Sequence, residues 1–451
     1  MVNWKSIPLG QIAEFRNGVN YDSTSFGKGI KVINVSDFKD RMYADYNSLS
    51  ELDSSSKWHD ESFLKAGDII FVRSNGNKNL IGRSLYIKNL PENFKVTFSA
   101  FCIRLRFLDN LEIDPYFYLY VFKSPLFRAL LSQFGNGANI NNLNQDILKN
   151  IKIPIPNLTA QKKISSILAE YDDLIENNNQ RIQLLDEMAE EIYKEWFVRL
   201  RFPDYEKVKK SELKKIKLRD CLSHYIGGGW GEEFSKGNNV IPAHVIRGTD
   251  FPNFNKGTLN FDVLRYHTES NLSSRICEPN DIIFEVSGGT ESQSLGRTCF
   301  ISKAALKRFD EPVICASFCK LLRVNNKKVS PFYINELLNR MHKTGELKVF
   351  QVQSTGISNY QFEDFIDSTK VFLPPKEVQD SFDKLVSPMY DEIQLLGAKN
   401  QVLQETRDLL LPRLISGKLS VEHLIEKDRF KSANDVSRSI AAEPEAEYKK
   451  S

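Results

Sequence analysis

Three features of the sequence predict an α+β protein in which two duplicated mixed α/β domains are separated by a long antiparallel two-helix coiled coil. A set of short motifs occurs twice in the same order, and a long heptad pattern follows each copy. Each heptad pattern also contains a single asparagine, which restricts how the two helices can pair. A chain of 451 residues is long enough for two or three domains with their own cores.

The duplicated motifs lie between 213 and 218 residues apart. They are residues 67–74 and 280–287, Gly82-Arg83 and Gly296-Arg297, residues 99–102 and 316–319, residues 114–118 and 330–334, and the pairs Pro156/Gln161 and Pro374/Gln379. A fixed order with only small insertions indicates an internal repeat. The alternative is two unrelated α/β domains with common strand patterns, which does not account for the shared order.

The repeat sets the expected domain boundaries. We predict a first α/β domain over residues 1–158, a central helical region over 159–203, a second α/β domain over 204–376 and a C-terminal helical region over 377–420. Prolines before each long helix fit its first turn, whereas Pro412 is expected to end or kink the second helix. The charged segment 421–451 has few bulky apolar residues and is predicted to be disordered.

Apolar residues recur in steps of four and three along both helical regions, which is the pattern of a coiled coil. The predicted seam of the first helix is Ile164, Leu168, Tyr171, Ile175, Asn178, Ile182, Leu185, Ala189, Ile192 and Trp196. That of the second helix is Phe382, Val386, Met389, Ile393, Leu396, Asn400, Leu403, Arg407 and Leu410.

The asparagines Asn178 and Asn400 favour an antiparallel pairing, because a buried amide is costly unless a polar group meets it. With these two residues opposite each other, every other layer also matches, from Leu168 with Leu410 to Trp196 with Phe382. Tyr171 then faces Arg407. A parallel pairing aligned by the repeat would place both amides against apolar residues. The alternative is that both asparagines reach solvent at the edge of the seam.

An antiparallel pair would hold the two α/β domains at opposite ends of a rod. About 32 residues at roughly 1.5 Å each give a rod of about 48 Å. Two similar domains held apart in this way suit a split target on one DNA duplex, with half-sites on the order of one helical turn apart.

Charge, hydropathy and cysteine content indicate which broad classes of protein the sequence fits. Lys and Arg number 61 against 58 Asp and Glu, so the net charge of +3 gives weak support for nucleic-acid binding, which would depend on local patches or a partner. The sequence has neither an apolar stretch of membrane-spanning length nor a signal peptide. Six cysteines without a CxxC pair indicate buried reduced thiols, and we expect a cytoplasmic protein.

Several of these segments resemble the specificity subunit of Type I restriction–modification systems. The resemblance covers residues 1–420 and rests on residues 137–143, 153–156, 161–164, 192–198 and 409–419. The combination is specific, although each motif alone would be weak. Residues 373–377 carry less basic charge than their counterpart, which leaves the start of the second helix open.

The resemblance implies that the α/β domains are target-recognition domains, which read a bipartite asymmetric target in double-stranded DNA. It implies assembly with two methyltransferase (modification) subunits and with restriction (translocase-nuclease) subunits, for which the helices would serve as ruler and docking surface. S-adenosylmethionine, ATP and Mg²⁺ would then bind to the partner subunits, and this chain would bind no cofactor.

Polar, glycine-rich segments are the candidate DNA-binding sites, because arginines and amides can pair with base edges or phosphates. The candidates are Arg73, Ser74, Asn75, Asn77, Lys78 and Asn79 in the first domain, and Trp230, Ser287, Thr290, Ser292 and Gln293 in the second. Trp230 is included because residues 227–230 differ from their counterpart 17–20. For any one of these residues, a position in an ordinary solvated turn without DNA contact is at least as good an explanation. For residues 136–142 and 354–360 a structural turn is favoured.

Catalytic and metal-binding motifs were sought and are absent from the sequence. It contains neither a phosphate-binding GxxxxGK[ST] loop nor an Asn-Pro-Pro-aromatic motif, and its six histidines lack metal-ligand spacing. We therefore expect a DNA-recognition subunit that is not an enzyme. The alternatives are a self-contained DNA methyltransferase or nuclease, which would need two active sites in a duplicated chain, and a coiled-coil scaffold without a role in DNA binding.

Overall fold

The computed structural model describes residues 4–38, 42–55, 58–77, 80–90, 92–93, 95–134, 142–207, 214–288, 294–354 and 357–425. Internal contacts divide the chain into two compact units. The first unit comprises Met1–Asp172 and Glu405–Ser451, and the second comprises Asp173–Gln404. Each unit therefore contains one of the predicted α/β domains together with part of each long helical region.

The first unit contains nine described strands and the start of a long helix. The strands are β1 (Ser6–Pro8), β2 (Ala13–Asn17), β3 (Gly29–Ile33), β4 (Ser50–Asp53), β5 (Ile69–Val72), β6 (Ser84–Tyr86), β7 (Lys95–Phe98), β8 (Cys102–Phe107) and β9 (Lys152–Pro154). The helices are α1 (Pro115–Lys123), α2 (Pro125–Phe134), α3 (Gln145–Asn150) and α4 (Leu158–Tyr193), of which α4 continues into the second unit.

Three sheets organise the first unit. The largest is antiparallel, in the order β2-β8-β5-β6, and β5 is fully buried along its length, as expected for a short continuous apolar run. A second sheet has the order β4-β3-β7, in which β3 runs antiparallel to β4 and parallel to β7. Strands β1 and β9 form an antiparallel pair that joins the two ends of the α/β domain.

The second unit contains twelve strands among its described residues. They are β10 (Lys214–Lys217), β11 (Leu222–Gly227), β12 (Ile241–Ile246), β13 (Leu264–His267), β14 (Asp281–Glu285), β15 (Ser287–Gly288), β16 (Thr298–Ile301), β17 (Val313–Cys315), β18 (Cys319–Val324), β19 (Gln351–Ser354), β20 (Ile357–Tyr360) and β21 (Lys370–Leu373). A π-helical turn, Lys194–Val198, follows α4. The later helices are α5 (Leu218–Cys221), α6 (Phe251–Phe254), α7 (Glu269–Ser273), α8 (Lys303–Leu306), α9 (Pro331–Lys343), α10 (Phe362–Ser368) and α11 (Lys376–Ile415).

The sheets of the second unit repeat those of the first, so the predicted duplication is confirmed. The order β11-β18-β14-β16 corresponds to the large antiparallel sheet, and β13-β12-β17 corresponds to the mixed sheet with one parallel pair. Strands β10 and β21 form the antiparallel pair that joins the ends of the domain. A further sheet, β15-β20-β19, is described in the second unit.

A buried glutamine connects each α/β domain to the long helix that follows it. The Gln161 side chain donates to the Pro156 carbonyl and accepts from the backbone N–H of Asp114, the N-cap of α1, both at 2.8 Å. Gln379 makes the same two hydrogen bonds at 2.7 Å. It donates to the Pro374 carbonyl and accepts from the backbone N–H of Ser330, the N-cap of α9. The two glutamines therefore fix the start of α4 and of α11 in the same way.

Within the second unit, α4 and α11 pair antiparallel, as predicted. The Asn178 amide donates to Asn400 Oδ1 at 2.8 Å, which is the contact that the antiparallel register requires. Asn400 in turn donates to Asn179 Oδ1 at 2.9 Å, a partner outside the predicted seam. Further along the pair, the Trp196 and Phe382 rings lie 6.1 Å apart. Both asparagines are buried, so neither reaches solvent at the edge of the seam.

Within the first unit, the end of α11 packs on the start of α4. Leu168 and Leu410 belong to one apolar cluster, in agreement with the predicted layer. The expected partner of Arg407 was Tyr171, but its guanidinium instead bonds the Asp172 carboxylate at 2.5 Å. A charged pair is stronger than a bond to a neutral phenol, and the next residue of α4 supplies it.

The second helix ends later than its proline suggests. Pro412 was expected to end or kink α11, yet the helix continues to Ile415. Leu414 and Ile415 are buried, and this packing offsets the hydrogen bond that a proline removes in the last turn. The ordered chain then extends to residue 425, with Val421 buried, while the rest of the predicted disordered tail, residues 426–451, lies outside the described residues.

All six cysteines are free and buried, as predicted. Burial raises the pKa of the Cys102, Cys221 and Cys315 thiols to about 12, which keeps them protonated and unreactive. Across the part of the chain that the structure describes, no group of acidic, histidine and cysteine side chains is arranged to hold a metal. No described helix combines the length and the apolar character needed to cross a bilayer.

Candidate nucleic-acid interface

The first candidate loop leaves the central strand β5 and is held by backbone hydrogen bonds. The Arg73 N–H donates to the Phe101 carbonyl at 2.8 Å, and the Arg73 carbonyl accepts from Leu143 N–H at 2.8 Å. Leu143 directly follows the second candidate segment, residues 136–142. This bond places Leu143 beside Arg73, whereas residues 136–141 lie outside the described residues.

Side chains in this loop form a polar surface. Asn75 Oδ1 accepts from the backbone N–H of Asn77 at 2.8 Å, which forms a local Asx turn. Ser74 and Asn75 line one side of a shallow depression, and Asn34 and Ser36 line the other. The Arg73 guanidinium contacts the Ala100 carbonyl at 3.5 Å. Lys78 and Asn79, which were also predicted to contact DNA, lie outside the described residues.

In the second domain, the candidate segment that starts at Ser287 begins as a strand and not as a loop. Ser287 and Gly288 form β15, which pairs with Asn359 and Ser358 of β20. The Ser287 hydroxyl donates to Asn359 Oδ1 at 3.0 Å. The reason is that β20 supplies a strand edge, and a free edge recruits extended chain. Thr290, Ser292 and Gln293 lie outside the described residues.

Gly228, two residues before Trp230, has a structural role that the sequence did not reveal. A Cβ on Gly228 would lie 2.2 Å from the Ala316 carbonyl oxygen, and one on Gly18 would lie 2.1 Å from the Ser99 carbonyl oxygen. The two glycines are therefore equivalent, and both permit a close backbone approach. Trp230 itself is 42% exposed, and the Arg265 guanidinium lies 5.0 Å from its ring centroid.

Two exposed phenylalanines that were not among the predicted site residues adjoin the candidate segments. Phe101 is 61% exposed and Phe318 is 58% exposed. The Phe318 carbonyl accepts from Ser287 N–H at 3.2 Å, as the Phe101 carbonyl accepts from Ser74 N–H at 3.4 Å. The repeated motif at residues 99–102 and 316–319 could have indicated these two phenylalanines, because both copies of the motif have a phenylalanine directly before a buried cysteine.

Equivalent positions of the two mixed sheets carry different polar residues. Asn34 follows β3, and Arg247 follows β12. The backbone N–H of each is capped by an aspartate three residues later, at 2.7 Å for Asn34 and 2.9 Å for Arg247. The backbone is therefore the same while the side chain changes. Asparagine and arginine are the side chains that pair best with adenine and guanine, respectively.

Comparisons with known proteins agree with this architecture. Residues 1–187 match the family model for the Type I restriction modification DNA specificity domain. The Type I restriction enzyme MjaIX specificity subunit of Methanocaldococcus jannaschii is 27% identical over 327 residues, covering 69% of this chain and 70% of that protein. The EcoKI specificity subunit of Escherichia coli K12 is 36% identical over 122 residues, covering 26% of this chain and 25% of that one.

A solved structure shows the same fold. The S subunit of a Type I restriction–modification system from M. genitalium superposes with a TM-score of 0.56 at 17% identity, covering 92% of this chain and 96% of that chain. The repeated strand topology and the antiparallel helices agree with these matches. The chain is thus similar in sequence and in fold to specificity subunits of Type I restriction–modification systems, and its residues 1–187 match their DNA specificity domain.

Proposed function

We propose that this chain selects the DNA sequence on which a Type I restriction–modification complex acts. Each α/β unit is a target-recognition domain that reads one half of a bipartite, asymmetric target, and the chain performs no bond chemistry. The proposal rests on one observation above all. The same strand framework occurs twice, and the equivalent position carries Asn34 in one copy and Arg247, whose guanidinium is oriented by Asp250, in the other.

The reading surface of the first domain is the polar depression beside β5. Arg73, Ser74, Asn75 and Asn77, with Lys78 and Asn79 further along the loop, supply donors and acceptors to bases and phosphates. In the second domain Ser287 and Trp230 have this role, together with Thr290, Ser292 and Gln293. With a net charge of only +3, phosphate neutralisation is shared with partner subunits.

The partners in this proposal are two modification subunits and the restriction subunits. The long helices offer them a docking surface, because several apolar side chains of α4 and α11 in the second unit remain exposed. They are Leu174, Leu184, Met188, Leu395 and Val402, which are 53%, 57%, 51%, 48% and 62% exposed. Apolar exposure of this kind marks protein interfaces. S-adenosylmethionine, ATP and Mg²⁺ belong to those partners, and the complex works on DNA in the cytoplasm.

Binding to duplex DNA tests the proposal. The full chain, co-expressed with its modification subunit, should bind one duplex sequence at least a thousandfold more tightly than an unrelated duplex at physiological salt, since specific sites exceed non-specific ones by about 10³ or more. Methylation mapping of the host genome with and without the gene supplies the sequence. Binding without sequence preference, or methylation or cleavage by the chain alone, would contradict the proposal.

A further inference from the structure

Phe101 and Phe318 occupy the same position in a rigid turn of each domain. The turn closes through the Cys102 N–H to Ser99 carbonyl bond in the first domain and through the Cys319 N–H to Ala316 carbonyl bond in the second, both 2.9 Å. All four of these flanking residues are buried. The phenylalanine between them is therefore fixed by its backbone while its ring projects into solvent.

Two further bonds tie each turn to the structures around it. Ser99 N–H donates to the last residue of β3 at 2.9 Å, and Ala316 N–H donates to the last residue of β12 at 2.8 Å. The Phe101 and Phe318 carbonyls accept from the first residues after β5 and β14. Each ring thus stands where the large sheet and the mixed sheet of its domain meet.

The surroundings of the ring indicate what contacts it. Phe101 lines a depression of about 550 Å³ together with Val35, Gly76 and four polar residues, which are Asn34, Ser36, Ser74 and Asn75. An apolar ring surrounded by amides and hydroxyls matches the major-groove edge of an A·T pair, which presents a donor and an acceptor on adenine and a methyl group on thymine. A purely polar ligand would leave the ring unused, and an apolar protein surface would leave the amides unpaired.

We propose that Phe101 and Phe318 each contact the 5-methyl group of a thymine in the major groove, one in each half of the target. This inference rests on the proposed function and deepens it, because it assigns one base-contacting residue to each domain. The two rings act independently, so loss of one relaxes the sequence preference in one half-site only.

The decisive experiment couples a change in the protein to a change in the DNA. The full chain with its modification subunit selects its preferred sequence from a pool of randomised duplexes, and affinity is then measured with deoxyuridine in place of each thymine. For the unaltered chain, loss of the contacted methyl should weaken binding roughly fourfold, since one buried methyl is worth about 0.8 kcal/mol. Phe101→Ala should bind about tenfold more weakly and no longer distinguish thymine from deoxyuridine at that position.

The controls separate the possible failures. Leu111→Ala removes an exposed apolar side chain beyond the other end of β8 and should leave affinity and preference unchanged. The slope of log affinity against log salt should be the same in Phe101→Ala, because no charge is removed. If Phe101→Ala and Phe318→Ala retain the thymine preferences of the unaltered chain, the inference is wrong. If the unaltered chain enriches no sequence, the proposed function itself fails.

Discussion

Arg323 holds Asp281 through two hydrogen bonds, 2.9 Å from Nε and 2.8 Å from Nη2, and the carboxylate is buried beneath them. Arg106 holds Asp68 in the same way, at 2.7 Å from both nitrogens. Each aspartate also accepts from a backbone N–H three residues earlier, at 2.7 Å, and so closes the turn that enters the central strand. This arginine–aspartate pair with two hydrogen bonds, which we call the fork, therefore fixes the start of β5 in one large sheet and of β14 in the other.

Asp281→Asn should destabilise the second domain by about 2 kcal/mol, because an amide cannot accept both arginine hydrogen bonds and the Arg323 guanidinium then keeps only one ion pair among the described residues, that with Glu278. Chemical denaturation of the full chain, followed by tryptophan fluorescence, measures the change. Asp310→Asn is the matched control, since the Asp310 side chain is 90% exposed and has no arginine partner in the described part of the chain; its carboxylate bonds His244 and nearby backbone N–H groups. Equal stability of the two variants would show that the fork is not stabilising.

The asparagine layer of the coiled coil can be tested by a double-mutant cycle. Asn178→Leu leaves Asn400 Oδ1 without its donor in a buried seam, which should cost about 1–3 kcal/mol. Replacing both asparagines with leucine should recover most of this loss, because the layer then becomes apolar like its neighbours. Additive effects of the two single changes would contradict a direct contact between these side chains.

Gly228 and Gly227 form a matched pair that separates a structural role from a DNA-binding role. In Gly228→Ala the new methyl would meet backbone oxygens at 2.2 and 2.3 Å, whereas no atom lies within 4 Å of a Cβ on Gly227. We expect Gly228→Ala to destabilise the second domain by about 3 kcal/mol and Gly227→Ala to change it by roughly 0.5 kcal/mol or less. Melting temperature and DNA affinity of both variants provide the readout. If Gly228→Ala keeps the melting temperature of the unaltered chain but loses DNA binding, residues 227–230 contribute to the DNA-binding surface and the structural explanation is wrong.

The sequence was most informative where regular spacing determines structure. The heptad steps and the two asparagines defined the antiparallel pairing, and the repeated motifs marked equivalent strands, because these features depend on period and order alone. The partner of Arg407 could not be predicted, since Tyr171 and Asp172 are adjacent on α4 and a difference of one residue decides which of them the guanidinium reaches.

The reading surface was harder to predict because it is assembled from residues distant in sequence. Asn34 and Phe101 share one depression only after β3 and β7 have paired. Ser287 was predicted to lie in a polar, glycine-rich loop, but its strand partner, Asn359, lies 72 residues away in the sequence. An exposed phenylalanine cannot be distinguished from a core residue by type alone, so Phe101 and Phe318 emerged only from the folded chain.

A buried glutamate makes the stability of the second unit depend on pH. Glu336 of α9 is 3% exposed and accepts a hydrogen bond from the Tyr390 hydroxyl of α11. Burial raises the pKa of Glu336 from its ordinary value of 4.5 to about 7. Between about pH 4.5 and 7 the folded chain therefore holds a proton that the unfolded chain has released, and the free energy of unfolding falls as pH rises through this window.

Glu336→Gln should remove this pH dependence, because the glutamine is never ionised and its side-chain oxygen can still accept from Tyr390. A shift of this size corresponds to a penalty on the order of 3 kcal/mol above pH 7, so the variant should be more stable than the unaltered chain at pH 8 and nearly equal to it at pH 4.5. Denaturation series at both pH values measure the difference. Glu187→Gln, at an exposed position of α4, controls for loss of one negative charge. If the two glutamine variants show the same pH profile, Glu336 is already ionised at low pH and the burial argument is wrong.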